Sequence, residues 1–551
     1  MHAMQVALCY VNKFAKSRCG PTHALIIETN EEADPLAKEG VRMARDILLV
    51  VDHGVAAEGE EREPFLLFPH LYGIFIWLLW GSKASSGKLP PGPRRIPILG
   101  NLLDLGDKPH KSLAELAKTH GPLMSLKLGS LTTIVVSSAA MAKEVLQNHD
   151  LTFSNRTIGD ALRVNQHDEV GLPWMPVSPL WRTLRKVCSS HFFSNKKLDA
   201  HQYLRRKKIE ELLSYVHKHC RAGEAINIGQ AAFNSSINLL SDTVFSKDLV
   251  DPNSKDAQAF KHTVCSIMEE GGKTNLADYF PVLRKIDPQG VRRRMSIHLT
   301  KLLNLVEKMF DERLHLRKEH GSIASDDVLD ALLDIIEDNL VELNKTHLTH
   351  LLGVLFVAGT DTTSVSLEWA MAELLHNPQV LQKAQVELKK TIGKGNQVEE
   401  SDIARLPYLQ AIVKETVRMH PPLPLLLPRR AGADVEIHGF RIPEGSQVLV
   451  NAWAIGRDPD VWENPECFTP ERFLGLEIDV KGRNFELIPF GAGRRICPGL
   501  PLAMRMLHLM LGSLINNFDW KIEGGVMNME EKFGISLQKA EPLRAIPIPL
   551  V

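Results

Sequence analysis

From about residue 110 onward, apolar residues recur mostly at helical spacing, as in Lys111–Ala117, Ala139–Gln147 and Leu204–Val216, and few runs alternate. The pattern predicts a mainly α domain. Short strand-like pieces at Leu123–Leu128, Thr132–Val136, Val435–Ile442 and Ser446–Val450 add a small sheet beside the helices. The longest expected helix runs from Lys345 to Asn377, where Pro378 stops it. It is apolar on most faces around Leu351–Val357, so it should be buried and cross the domain. In its middle, Ala358-Gly359-Thr360-Asp361-Thr362-Thr363 gathers poor helix formers whose hydroxyls can bind carbonyls and open the helical ladder.

One segment breaks this amphipathic pattern. Residues 65–81, Phe65 to Gly81, are uncharged and aromatic at both ends. As a helix the segment would reach about 26 Å, against a hydrocarbon core of roughly 30 Å. A single membrane span is the expectation, with a buried core helix as the alternative. Glu58, Glu60, Glu61, Arg62 and Glu63 precede it and Lys83, Lys88, Arg94 and Arg95 follow, which places the rest of the chain on the cytosolic side. Residues 82–97 are basic and proline-rich, a semi-rigid spacer, and residues 98–551 form the main domain. Residues 1–64 carry no secretory signal pattern and no motif.

Composition narrows the class. The 551 residues are 44% hydrophobic and 24% charged, with no Gly/Ser linker to divide them, so one large folded domain is expected. A formal net charge of -1 supplies no general attraction for nucleic acid. The seven cysteines form no CxxC pair and no zinc-like Cys/His spacing. GxSxG, HExxH and Walker A patterns are absent at the required spacings, which removes the corresponding hydrolase and kinase chemistries.

One cysteine stands in a distinctive context. Phe490-Gly491-Ala492-Gly493-Arg494-Arg495-Ile496-Cys497-Pro498-Gly499 lies just before the apolar run Leu502–Ile515, so Cys497 should sit at or near a helix N-terminus. The positive end of that helix favours a thiolate, and the amides of Gly499 and Leu500 are free to donate to the sulfur. The glycines let backbone approach a flat cofactor. Alone, the stretch is also compatible with a Gly-rich turn around a buried thiol. Matched at every fixed position, it resembles the haem-binding signature FxxGxRxCxG of the cytochrome P450 superfamily, the standard case of cysteine ligation to haem iron.

Other motifs agree with that resemblance in order and separation. Glu415-Thr-Val-Arg418 resembles the ExxR motif and Pro470-Glu471-Arg472-Phe473 the PERF motif, so Glu415, Arg418 and Arg472 are expected to form a buried structural ion network. Trp181-Arg-Thr-Leu-Arg185 resembles the WxxxR element that contacts the haem propionates; the resemblance adds Arg429 and Arg495 as further cations and Phe490 and Gly499 to the cofactor site. Ala358 to Thr363 is similar to the oxygen-activation motif, which assigns proton delivery to Asp361 and Thr362. By family position, Val357, Ala358, Leu425, Leu426, Phe533, Ile535 and parts of the loop from Thr157 to Pro176 line a substrate pocket.

The resemblance implies the cytochrome P450 fold, mainly α with a small β-sheet portion, in a single large haem domain behind an N-terminal membrane anchor. It implies haem b held by Cys497, electrons from NADPH through a flavoprotein reductase, O₂, and hydroxylation of a small lipophilic substrate. Arg182, Lys186 and Arg494 could give the proximal face a basic patch for that reductase. Leu423–Arg429, Asn451–Asp458 and Glu531–Leu537 resemble plant microsomal members that oxidise monoterpenoids such as geraniol. A single-pass protein of the endoplasmic reticulum membrane is the implied setting. Residues 1–64 are atypical for such members, which leaves open whether they belong to the mature protein. Two alternatives remain here: a haem-thiolate isomerase or dehydratase needing no external electrons, and a non-enzymatic membrane-anchored helical binding protein.

Overall fold

The computed structural model describes residues 88–251, 255–320, 327–337, 343–393 and 395–550. The extension, the 65–81 segment and the front of the proline-rich spacer lie outside the described residues. Among those described, no helix is long and apolar enough to cross a membrane. The chain is mainly helical with small sheets. The helices that position the site are α1 (Pro179–Val187), α2 (Ile228–Phe245), α3 (Lys255–Gly272), α4 (Val291–His320), α5 (Lys345–His376), α6 (Pro407–Met419) and α7 (Leu500–Asn517).

Helix α5 is the axis of the fold. Asn344 caps it by accepting from the His347 amide, and the chain turns at Asn377 so that Pro378 opens the next helix, where its missing N–H costs nothing. The mid-helix hydroxyls do bind carbonyls: Thr360 Oγ1 donates to Phe356 O at 2.5 Å and Thr362 Oγ1 to Ala358 O at 2.6 Å. The helix nevertheless stays continuous from Lys345 to His376, because those carbonyls accept the hydroxyl alongside the backbone N–H. Helix α2 packs along α5, and at Gly359 a Cβ would come within 2.8 Å of Leu240 Cδ1. The front of α5 joins a core with α2, α3 and α4, whereas its rear half around Trp369 packs with α6 and α7.

A five-stranded sheet flanks the helices in the order Leu123–Leu128, Leu131–Val136, Gln447–Val450, Arg429–Arg430, Asn155–Arg156. The second and third strands run parallel; the other neighbours are antiparallel. Val435–Ile442 is two strands and not one: Val435–Ile437 and Phe440–Ile442 pair across His438 (φ 49) and Gly439 (φ 77), a left-handed two-residue turn. The Ala139–Gln147 run likewise divides, helical to Lys143 and then widening into a π turn over Glu144–Asn148. The described part of the proline-rich spacer is docked on the sheet, with Pro91 O accepting from Ser125 N at 2.8 Å and Pro90 O from Ser125 Oγ at 2.6 Å. Its tail therefore belongs to the folded domain.

Candidate active site

Cys497 is presented by a closed loop ahead of α7. Its own N–H donates to Phe490 O at 3.0 Å, Ile496 N–H donates to Gly493 O at 3.1 Å, and Arg185 Nη1 reaches Ile496 O at 2.9 Å. Gly493 (φ 69) is confined by contact as well as by conformation, since a Cβ would fall 2.1 Å from Leu146 O. Gly499 caps α7. Burial pushes the Cys497 thiol up, and the Gly499 amide, Arg185 and the Leu500 amide oppose it. The helix terminus thus favours the thiolate less than burial disfavours it, and a coordinated cation is what deprotonates such a thiol.

Beside this loop lies an excess of buried positive charge. Arg495 donates to Ser154 O, Leu172 O and Met175 O at 2.8, 3.2 and 2.6 Å, and its guanidinium stands 4.6 Å from the Trp181 ring. Arg429 bonds Phe153 O and Ala492 O and lies 3.6 Å from Asp150. Arg156, which motif reading missed, bonds Pro173 O and Leu427 O and is paired directly opposite Arg429 across the sheet. Like charges facing each other in a strand pair oppose folding unless an anion joins them. Burial lowers Arg429 and Arg495 to about 10, and for Arg156 burial is reinforced by Arg429, Arg495 and Arg185. Trp181 Nε1 is buried without a hydrogen-bond partner. Crowded guanidiniums, an orphaned indole donor and an adjacent thiol fit a carboxylate-bearing porphyrin held by sulfur.

On the opposing element, α5 turns Ala358 outward and leaves Thr362 half-buried, one helical turn apart, whereas Val357, Thr360, Asp361 and Thr363 are buried. Thr362 and Asp361 do not bond each other. Asp361 Oδ1 instead accepts from Gln538 Nε2 at 3.0 Å, with Cys265 Sγ at 3.9 Å. Burial holds the Asp361 carboxyl above its usual range.

The expected pocket residues separate. Val357 belongs to the front core, against which Ile535 and Leu427 pack. Leu425 packs with a cluster around Leu126 and Leu449, and Leu426 (φ 50) with one around Phe153 and Val448. Phe533 stacks on buried His110, ring centroids 5.4 Å apart. Within the loop from Thr157 to Pro176, His167 meets His350 of α5, Nδ1 to Nδ1 at 3.0 Å, a pair that motif reading also missed.

Glu415, Arg418 and Arg472 form one network. Arg418 pairs with Glu415 through Nε and Nη2 at 2.6 and 2.8 Å, and Arg472 Nε reaches the same carboxylate at 3.1 Å.

This architecture has known relatives. The family model for Cytochrome P450 matches residues 90–545. The chain belongs to the cytochrome P450 family. It is similar to "Geraniol 8-hydroxylase" of Swertia mussotii, 56% identical over 470 residues, 85% of this chain and 94% of the relative. It is similar to "Geraniol 8-hydroxylase" of Catharanthus roseus, 54% identical over 87% of this chain and 97% of the relative. It is also similar to "Drimenol monooxygenase" of Persicaria hydropiper, 55% identical over 86% of this chain and 95% of the relative. As a P450, the chain is an oxidoreductase, a haem-thiolate monooxygenase that carries haem b and takes NADPH electrons from a reductase partner. The isomerase and binding-protein readings are not favoured.

Proposed function

We propose that this P450 hydroxylates a terpenoid alcohol such as geraniol, with Cys497 as the iron's ligand. The observation that carries the reading is on α5: Ala358, Gly359 and Thr362 break the burial of its middle turns, in a region whose apolar core includes Val357, Leu427 and Ile535. A reacting face with apolar walls suits a lipophilic substrate. The alcohol class comes from the relatives' names, since geraniol and drimenol are both terpenoid alcohols. The haem supplies reduction of O₂ and hydroxylation of a C–H bond; the chain must hold the ligand sulfur, bind the porphyrin carboxylates, exclude water and deliver protons. Arg156, Arg185, Arg429, Arg495 and Trp181 take the carboxylates, and Phe490 and Gly499 shape the loop around the sulfur.

Asp361 stores a proton and Thr362 passes it on. The Thr362 hydroxyl hydrogen is committed to Ala358 O, which leaves its lone pairs to accept from a donor or to order water. Thr362→Ala should keep haem and substrate binding but divert electrons to peroxide. Product per NADPH should fall by about an order of magnitude or more, the scale of a lost positioned proton donor. Unchanged coupling would count against the relay.

Residues 65–81 span the membrane of the endoplasmic reticulum, with the catalytic domain in the cytosol, on the strength of their uncharged length and the cations that follow. Exposed Arg182 and Lys186, one helical turn apart on α1, with Arg494, which is ion-paired to Asp150, supply the basic groups for an acidic flavoprotein reductase. The substrate assignment is tested by a turnover screen of terpenoid alcohols and matched hydrocarbons with reductase and NADPH. Hydroxylated alcohol is the expected product. Oxidation of the hydrocarbons alone would remove the alcohol class.

A further inference from the structure

The strands Glu531–Lys532 and Gln538–Lys539 pair as a hairpin close to the C-terminus, and the loop between them packs on α3. A Cβ on Gly272 would lie 2.2 Å from Ile535 N, and one on Gly271 2.5 Å from Ile535 Cδ1, so the hairpin cannot drift from α3. This contact brings Gln538 to the buried face of α5. Its Nε2 donates to Asp361 Oδ1 at 3.0 Å and also reaches Ser536 Oγ at 3.3 Å, which braces the amide. Cys265 of α3 adds its thiol to the same oxygen at 3.9 Å. Asp361 Oδ2, equally buried, has no partner at hydrogen-bonding geometry, although the Ser536 hydroxyl lies close enough to the carboxyl to stabilise its charge.

We propose that Gln538 is a positioning residue that fixes which oxygen of Asp361 carries the proton used in oxygen activation. The inference rests on the proton-delivery reading of Asp361 and Thr362. A neutral carboxyl has one carbonyl oxygen and one O–H. An oxygen that already accepts from an amide N–H and a thiol S–H is the carbonyl, so the hydrogen resides on Oδ2. A buried O–H with no acceptor bonds whichever acceptor first comes within reach. In the transfer the Asp361 Oδ2–H bond breaks, the Thr362 oxygen accepts that proton through a lone pair, and the hydroxyl gives up its own hydrogen, released from Ala358 O, towards the oxygen that reductase electrons reduce. The carboxylate left behind keeps the Gln538 N–H and the Cys265 S–H as donors until water returns a proton. One amide therefore orients the acid before transfer and stabilises its conjugate base afterwards.

The charged and titratable groups around Asp361 are Lys261 and Cys265 on α3 and Glu368 two turns along α5; Gln538 and Ser536 face it from the hairpin. Burial pushes the Cys265 thiol up to about 12, so it remains a donor at working pH. Burial raises the Asp361 carboxyl, and Ser536, Lys261, Gln538 and Cys265 draw it back in that order, so loss of the Gln538 amide shifts the acid further up by its share.

The test uses the holoenzyme with reductase, comparing wild type, Gln538→Leu, Asp361→Asn and the double variant. Product and peroxide per NADPH, the pH profile of kcat, the carbon monoxide difference band and the substrate-induced spectral shift are read for each. Gln538→Leu is expected to keep the band and the spectral shift, to lose about three- to tenfold in product per NADPH, and to move the alkaline limb of kcat to higher pH. In the Asp361→Asn background it should change neither coupling nor that limb. An unaltered profile and coupling in Gln538→Leu, or an equal loss in both backgrounds, would overturn the assignment. Wild-type turnover that needs no NADPH would instead remove the monooxygenase reading and this inference with it.

Discussion

Cys497→Ala should give a folded chain that has lost the thiolate-type carbon monoxide difference band and all monooxygenase turnover. The loop that presents this residue is closed by its own backbone, Cys497 N to Phe490 O, and by Arg185 on Ile496 O; alanine keeps both bonds. The sulfur itself makes no contact on which the core depends. Its partners are the Gly499 and Leu500 backbone amides at the start of α7, which the substitution leaves in place. Cys188, whose thiol shares the field of Arg185, is fully buried in the front core, where burial pushes it up to about 12. Difference spectroscopy, read beside circular dichroism and NADPH-dependent turnover, checks the result. A retained thiolate band would place the iron on another side chain and would undo the reading of Asp361, Thr362 and the arginine cluster together.

Sequence pattern and tertiary geometry divide the site between them. Helices α5 and α7 were legible to within two or three residues, because a buried helix announces itself by local periodicity and by stop signals such as Pro378. The cysteine loop was legible for the same reason, being one continuous stretch. Arg156 was not. Its place in the cation cluster depends on Asn155–Arg156 pairing with Arg429–Arg430, a register between strands far apart in the chain that no local window contains. Gln538 shares that limit, since only the docking of the C-terminal hairpin on α3 carries it to Asp361. The Val435–Ile442 hairpin was missed for a different reason: its turn uses His438 at positive φ, an uncommon residue for a position that Asn or Gly usually fills. Leu425 and Leu426, successive residues between Pro424 and Pro428, pack against different clusters, and Phe533 stacks on His110 from the C-terminal hairpin, so no local window shows how these side chains meet.

The largest effect on stability belongs to Glu415. Its carboxylate, with no exposed surface, accepts two bonds from Arg418, one from Arg472 and one from the Thr469 amide at 2.7 Å. Arg418, equally buried, spends its remaining N–H groups on Gly456 O, Pro465 O and Cys467 O. Replacing Glu415 by alanine leaves Arg418 as an uncompensated charge in the interior, which costs about 3 to 5 kcal/mol. Against a typical domain stability of about 5 to 15 kcal/mol, that is roughly a fifth or more of the whole. The loss should fall first on the haem site. Arg472 ties Glu415 to Glu463 O, Asn464 O and Cys467 O, and the segment that follows packs Phe473 and Leu487 together with Phe490 and Leu500 at the two ends of the cysteine loop. Glu415→Ala is therefore expected to lower the yield of haem-loaded protein and the melting temperature together, with residual protein shifted from the thiolate band. Arg472→Ala should cost less, because Arg472 is partly exposed and its removal leaves Glu415 paired with Arg418. Thermal melting followed in the haem absorption band and by circular dichroism separates the two variants. A Glu415→Ala protein as stable as wild type would mean that Arg418 finds water or another anion, and that the network is not what holds α6 to the cysteine loop.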